Sequence, residues 1–171
     1  MEQKEMIDLL RQVASGTMDV EQAALKLKEE PFEDLGFAKI DHHRAMRQGV
    51  AEVIYGEGKT PEQIFRIAEA MKEKGQKAVL ITRMNKESAI YVGEHLELQY
   101  DEVSRIGFIG EAPIKDGDGK IVVATGGTSD IPVAEEAART AETLGNEVIR
   151  LYDVGVAGVH RLLGHPDDFM E

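Results

Sequence analysis

The stretch Ile121-Val122-Val123-Ala124-Thr125-Gly126-Gly127-Thr128-Ser129-Asp130-Ile131-Pro132 decides how this chain folds. Ile121–Thr125 is an unbroken strand-forming run without polar alternation, the pattern of a parallel strand expected to be buried on both faces. Gly126 to Asp130 makes a turn, and Pro132 opens a helix that runs to Leu144. Val133, Ala134, Ala137, Ala138, Ala141 and Leu144 share one face of that helix, and Gly145 follows as its C-terminal cap. Glu147–Asp153 reads as the next strand. It leads into a small-residue turn, Asp153 to Arg161, and a further helix start near Ala157. Strand, helix and strand at this spacing predict a parallel pair with a right-handed crossover.

Upstream, Lys115-Asp116-Gly117-Asp118-Gly119-Lys120 is polar, glycine-rich and without period, and reads as a linker. A calcium loop counted from Asp116 fails, because Gly127 stands where the twelfth position needs Glu. Before it the pattern is α/β, with strand-like runs at Phe37–Asp41, Glu52–Tyr55, Ala78–Thr82 and Arg105–Ile109. Thr60, Pro61 and Gln63 mark a helix start at the N-cap, N1 and N3 positions, and Gly75 ends that helix. The first residues read as a helical hairpin. Met6, Leu9, Leu10, Val13 and Ala14 form one apolar face, Gly16 takes the C′ position, and Val20, Ala23, Ala24 and Leu27 form the second stripe. The expected organisation is an α/β chain: a helical hairpin over 1–33, a small α/β domain over 34–114, a linker over 115–120, and the start of a doubly wound, parallel-sheet domain over 121–171. Two strands and one full helix do not bury a parallel sheet, so the last domain is expected to continue beyond Glu171 or to be covered by a partner chain.

Composition narrows the function classes. The 171 residues carry 32 acidic against 20 basic side chains, a formal charge of −12, which disfavours nucleic acid as a polymer partner. No run reaches the roughly 18 apolar residues of a membrane span, and the charged N-terminus is unlike a secretory signal, so a cytoplasmic location is expected. The chain has no cysteine, which removes thiolate ligands and thiol nucleophiles, and its five histidines lack zinc spacing, so no metal is expected.

Three places can carry chemistry. Gly56-Glu57-Gly58-Lys59-Thr60 invites a phosphate-loop reading, but that motif needs a glycine where Val53 stands; a tight turn leading to a helix N-cap fits better. Asp41-His42-His43-Arg44, with Arg47 one turn beyond, is either a salt-bridged helix start with Asp41 as its N-cap or a pair of arginines gripping a carboxylate or phosphate; spacing leaves both readings open. The third place is the pair of βα turns. Gly126 and Gly127 let backbone approach a ligand, Thr128, Ser129 and Asp130 add polar groups, and the helix start offers unpaired N–H groups to an anion. The neighbouring turn brings Asp153, a proton-transfer candidate in His160 and a phosphate clamp in Arg161.

Gly-Gly-Thr-Ser-Asp followed by His-Arg after the next strand resembles the aminoimidazole ribonucleotide carboxylases of purine synthesis, although Gly127 replaces a serine of that pattern. The chain more closely resembles the LarB family, the carboxylase/hydrolases of nickel-pincer cofactor biosynthesis. That resemblance rests on the N-terminal helices, Gly36 to Arg44, Glu52 to Thr60, Thr82-Arg83, and Gly126 to Leu163. It implies that the last domain has the carboxylase-like, flavodoxin-like fold. It also implies a reaction in which nicotinic acid adenine dinucleotide is carboxylated by carbon dioxide at C5 of its pyridine ring. The phosphoanhydride is then cleaved, giving pyridinium-3,5-biscarboxylic acid mononucleotide and AMP. On the purine-carboxylase pattern Ser129, Asp130, His160 and Arg161 carry over, with His160 as the catalytic residue, and Gly126, Gly127, Thr128 and Asp153 of the same turns are expected to complete the substrate-binding set. The family's ring-attacking cysteine has no counterpart here, so the chain is expected to be an inactive binding half. The resemblance further implies a homo-oligomer, an octamer for the full-length protein, with no covalently bound cofactor. Alternative readings are a purine-type carboxylase or mutase, and a non-catalytic regulator of the kind named circadian phase modifiers.

Overall fold

The computed structural model describes residues 3–28, 32–42, 44, 50–111, 114–155, 158, 160–161 and 164. They form two units, Met1–Glu52 with Ile67–Gln76, and Val53–Arg66 with Lys77–Glu171.

In the first unit, α1 (Gln3–Ala14) and α2 (Val20–Lys28) form the expected hairpin, with Gly16 at φ +73° just past the end of α1. Its seam is narrower than the apolar stripes. Leu9 and Ala23 are buried, whereas Leu10, Val20 and Ala24 are exposed. Two short antiparallel helices share one line of contact, and side chains to either side of it stay in water. Strands β1 (Phe32–Asp34) and β2 (Lys39–Asp41) pair antiparallel with Phe32 opposite Asp41. The strand expected from Phe37 starts at Lys39 because Gly36-Phe37 is the hairpin loop. Gly36 takes φ +83°, and Leu35 N–H donates to Ala38 C=O at 2.9 Å.

The second unit contains a four-stranded mixed sheet in the order β3-β4-β6-β5. Strands β3 (Val53–Tyr55) and β4 (Ala78–Thr82) run parallel and are joined through helix α3 (Pro61–Glu73). The start of α3 is the expected reciprocal box. Gln63 N–H donates to Thr60 Oγ1 at 3.2 Å and Thr60 N–H to Gln63 Oε1 at 3.0 Å, with Gly75 at φ +88° beyond the far end. Strands β5 (Leu98–Asp101) and β6 (Ile106–Gly110) complete the sheet antiparallel, with helix α4 (Lys86–Gly93) before them. Neither β5 nor α4 stands out in the sequence. The core around these strands is Ile54, Val79, Leu80, Ile81, Met84, Val92, Ile106 and Ile109, all buried. At Gly107 a side chain would meet Met84 Sδ at 2.8 Å and Leu98 Cδ1 at 3.0 Å, so any larger residue there has to displace those two side chains.

Strands β7 (Lys120–Ala124) and β8 (Glu147–Leu151) form the expected parallel pair, joined through α5 (Ile131–Thr143). Burial on both faces of β7 is not observed: Ile121 is 40% exposed and Ala124 also faces solvent. A parallel strand is enclosed only when further strands flank it and helices cover both faces. The buried face of α5 is also narrower than its apolar pattern, holding Ala134 and Ala138, while Val133 is 70% exposed. Glu135 and Glu142 instead receive Arg150 from β8, at 2.9 and 2.6 Å. The Tyr152 hydroxyl donates to Glu135 at 2.6 Å. Burial and this carboxylate push the Tyr152 hydroxyl up to about 12. Burial alone would raise Glu135, but hydrogen bonds from Arg150 and Tyr152 outweigh it and leave the carboxyl below its ordinary range.

Candidate functional site

The two glycine-rich turns leave the same edge of the β7–β8 pair and meet backbone to backbone. A side chain at Gly155 would lie 2.3 Å from Gly126 carbonyl oxygen, so the second turn closes onto the first only because residue 155 has none. Thr125, 5% exposed, pins the junction. Its N–H donates to Leu151 C=O at 3.0 Å, its carbonyl accepts Val154 N–H at 3.0 Å, and its hydroxyl accepts Asp153 N–H at 3.0 Å. Thr125 and Gly155 are the site residues that sequence reasoning missed. In the sequence Thr125 reads as the end of a strand, and nothing local distinguishes a threonine whose hydroxyl bridges two turns.

Within the first turn, Thr128–Asp130 is a single 3-10 turn that runs directly into α5. Asp130 Oδ2 accepts the Gly127 N–H at 2.9 Å and so braces the turn from inside. Thr128 and Ser129 are exposed at the rim. At the start of α5 the Asp130 N–H donates to Gly127 C=O and the Ile131 N–H to Thr128 C=O, and Pro132 has no N–H, so the positive end of the helix dipole is what α5 offers an anion there. Gly127 is roomier than the sequence suggests, since a side chain there would find nothing nearer than Asp130 Oδ2 at 4.0 Å.

In the second turn Asp153 takes φ +59°, an uncommon left-handed backbone for a residue with a side chain. Its carboxylate accepts Arg161 Nη1 at 2.9 Å, and its carbonyl accepts the same nitrogen at 3.2 Å. The expected phosphate clamp is thus engaged with Asp153, and both side chains remain about half exposed, at 49% and 50%. His160 is exposed beside it. A side chain at buried Gly158 would meet Arg161 Nε at 3.0 Å and His160 Cε1 at 3.2 Å, so a glycine leaves room for both. Val156, Ala157, Val159 and Leu163 lie outside the described residues.

The Asp41 cluster lies in the first unit. Asp41 is the last residue of β2, a strand position in place of the helix N-cap read from the sequence. His42 Nε2 lies 3.0 Å from Glu33 Oε2, and Arg44 Nη1 reaches Glu52 Oε1 at 3.5 Å. Both contacts are ion-pair geometry within the unit. His43 and Arg47 lie outside the described residues. The loop read as a tight turn is one: Lys59 N–H donates to Gly56 C=O at 3.1 Å, Gly58 takes φ +79°, and Lys59 Nζ turns back to the Tyr55 carbonyl at 2.7 Å. Among the described residues no group of three His, Asp or Glu side chains is placed to hold a metal ion. None of their helices is long and apolar enough to cross a membrane.

With this geometry in view, the chain can be set beside known proteins. Residues 32–111, which span the β1–β2 hairpin and the mixed sheet, match the LarB/PurE-like N-terminal domain. Over this stretch the chain is thus similar to LarB and PurE-like proteins. The uncharacterized protein MJ0165 of Methanocaldococcus jannaschii is 32% identical over 166 residues, which cover 93% of this chain and 65% of that protein. The chain therefore spans just under two thirds of that relative. The LarB/PurE-like match and the parallel β7–β8 pair agree with the α/β class expected from the sequence.

Proposed function

We propose that this chain supplies the nucleotide-binding half of a LarB-type carboxylase/hydrolase. Its substrate would be nicotinic acid adenine dinucleotide, carboxylated at pyridine C5 and cleaved to pyridinium-3,5-biscarboxylic acid mononucleotide and AMP. The observation that carries this reading is the junction of the two turns at Gly126 and Gly155, which brings Ser129, Asp130, Asp153, His160 and Arg161 to one strand edge. In this reading the α5 N-terminus and Thr128-Ser129 receive a phosphate. Arg161 exchanges Asp153 for phosphate oxygens, an exchange favoured by the two charges and the fork geometry of guanidinium. His160 stands at the rim as the proton-transfer group. No cysteine exists in the 171 residues, so the thiol that would add to the pyridine ring has to come from outside them. In this reading the chain alone binds without turning over, and a homo-oligomer, an octamer by family resemblance, is the working assembly.

Calorimetric titration of the chain with nicotinic acid adenine dinucleotide tests this. Saturable binding is expected, with Arg161→Ala weakening it by about tenfold or more, the loss typical of a charge-assisted bond. Absence of both heat and thermal shift would overturn the binding role. Unchanged affinity in Arg161→Ala would remove the clamp.

A further inference from the structure

A second polar locus lies at the C-terminal ends of β3 and β4, the edge at which open α/β sheets receive ligands. Tyr55 ends β3, and its ring is 48% exposed. Its hydroxyl donates to Glu57 Oε2 at 2.5 Å. Arg83, immediately after β4, donates through Nη1 to the Tyr55 hydroxyl and to Glu57, each at 3.1 Å, and through Nε to Glu136 of α5 at 3.1 Å. Arg105, just before β6, donates to the Arg83 carbonyl at 3.1 Å and lies 3.9 Å from Glu57. The Arg83 guanidinium is 5.5 Å and the Lys59 ammonium 5.9 Å from the Tyr55 ring centroid.

Two features set this locus apart from an ordinary surface ion-pair network. Arg83 at φ +51° and Arg105 at φ +56° are both left-handed, a backbone that costs a side-chain-bearing residue about 1 kcal/mol and that Gly or Asn would occupy more readily. The third such residue among those described is Asp153, at the turn junction proposed above for nucleotide binding. Strained backbone of this kind is retained where a particular side chain has to be presented. The local charge is also opposite to the global one. Among the described residues Arg83 pairs with Glu57 and Glu136 and Arg105 with Glu57, while Lys59 lies beside the same Tyr55 ring, in a chain of net charge −12. Among the described residues Arg83 Nη2 has no hydrogen-bond partner, so the guanidinium keeps donors for a ligand.

We propose that Tyr55, Arg83 and Arg105 form a second binding site, for a nucleoside monophosphate. The base lies against the Tyr55 ring, the phosphate takes the two guanidiniums, and Glu57 accepts a ligand hydroxyl. An aromatic face between cations is sequence-tolerant toward bases, while paired arginines demand an anion. This site is distinct from the Ser129 turn and does not depend on the reaction proposed above.

The test uses the full chain, isotope-labelled, with adenosine 5′-monophosphate, adenosine and inorganic phosphate as separate probes. The monophosphate is expected to move the Tyr55 ring and Arg83 Nε–H resonances in a saturable way. Adenosine and phosphate alone should each bind about tenfold or more weakly. Tyr55→Leu and Arg105→Lys, both at exposed side chains, should keep the wild-type melting transition and lose about tenfold in affinity. Shifts confined to the Gly126 and Gly127 amides would overturn this proposal while supporting the Ser129-turn reading. Lack of saturation, or equal affinity for inorganic phosphate and the monophosphate, would overturn it outright.

Discussion

Gly126, Gly127 and Gly155 are all glycines of the two turns, yet the structure asks different things of them. Gly155 faces the Gly126 carbonyl at 2.3 Å from its would-be side chain, whereas Gly127 has 4.0 Å of clearance. Gly155→Ala is therefore expected to push the turns apart and to cost about 1–3 kcal/mol, the usual penalty of overpacking. Gly127→Ala should change stability by no more than about 0.5 kcal/mol. Paired thermal melts check this, and equal melting temperatures for the two variants would contradict the junction. At this scale the sequence conveyed which residue types gather in the turns. It did not convey which glycine is sterically required, because that depends on a backbone 29 positions away.

The α5–β8 contact is held at element scale by Arg150 between Glu135 and Glu142. Hydrogen bonds from Arg150 hold Glu142 below its ordinary carboxyl range, and those from Arg150 and Tyr152 overcome burial to do the same for Glu135. A depressed folded-state value means that the stabilisation is present above the unfolded value of about 4.3 and is lost as pH falls through the folded values. Stability is thus expected to decline below about pH 4.5. Arg150→Met should flatten that decline and lower stability at neutral pH by about 1 kcal/mol, a modest figure because the cluster is partly solvated. Urea unfolding between pH 3 and 7 reads both effects. An acid limb as steep in Arg150→Met as in the parent would assign acid sensitivity to other carboxylates. The elements themselves were largely legible, since β4, α3, α5 and β8 fall within a few residues of their sequence-based positions. The apolar faces were read too wide. Period alone marks every position able to face a partner, while burial depends on how much partner there is.

At the scale of the whole molecule, the strands differ in how well they are enclosed. β4 lies between β3 and β6 with Val79, Leu80 and Ile81 buried, whereas among the described residues β7 has one strand neighbour and exposed positions along its length. Two-stranded pairs are marginal on their own, and local opening follows poor burial. Amide hydrogen exchange on the 171-residue chain should therefore be slowest in β4 and about tenfold or more faster in β7. Equal protection in the two strands would mean that β7 is enclosed in solution. By itself, the sequence determined the α/β class, the parallel pairing of β7 with β8, the capped start of α3 and the turns that carry polar side chains. These follow from hydrophobic period, caps and glycine positions, which act over a few residues. Only the tertiary structure decided that Thr125 and Gly155 lock the two turns together, that Asp153 holds Arg161, and that Tyr55, Arg83 and Arg105 converge. Each of those depends on side chains and backbones meeting across strand pairings, and no local pattern in a chain encodes that register.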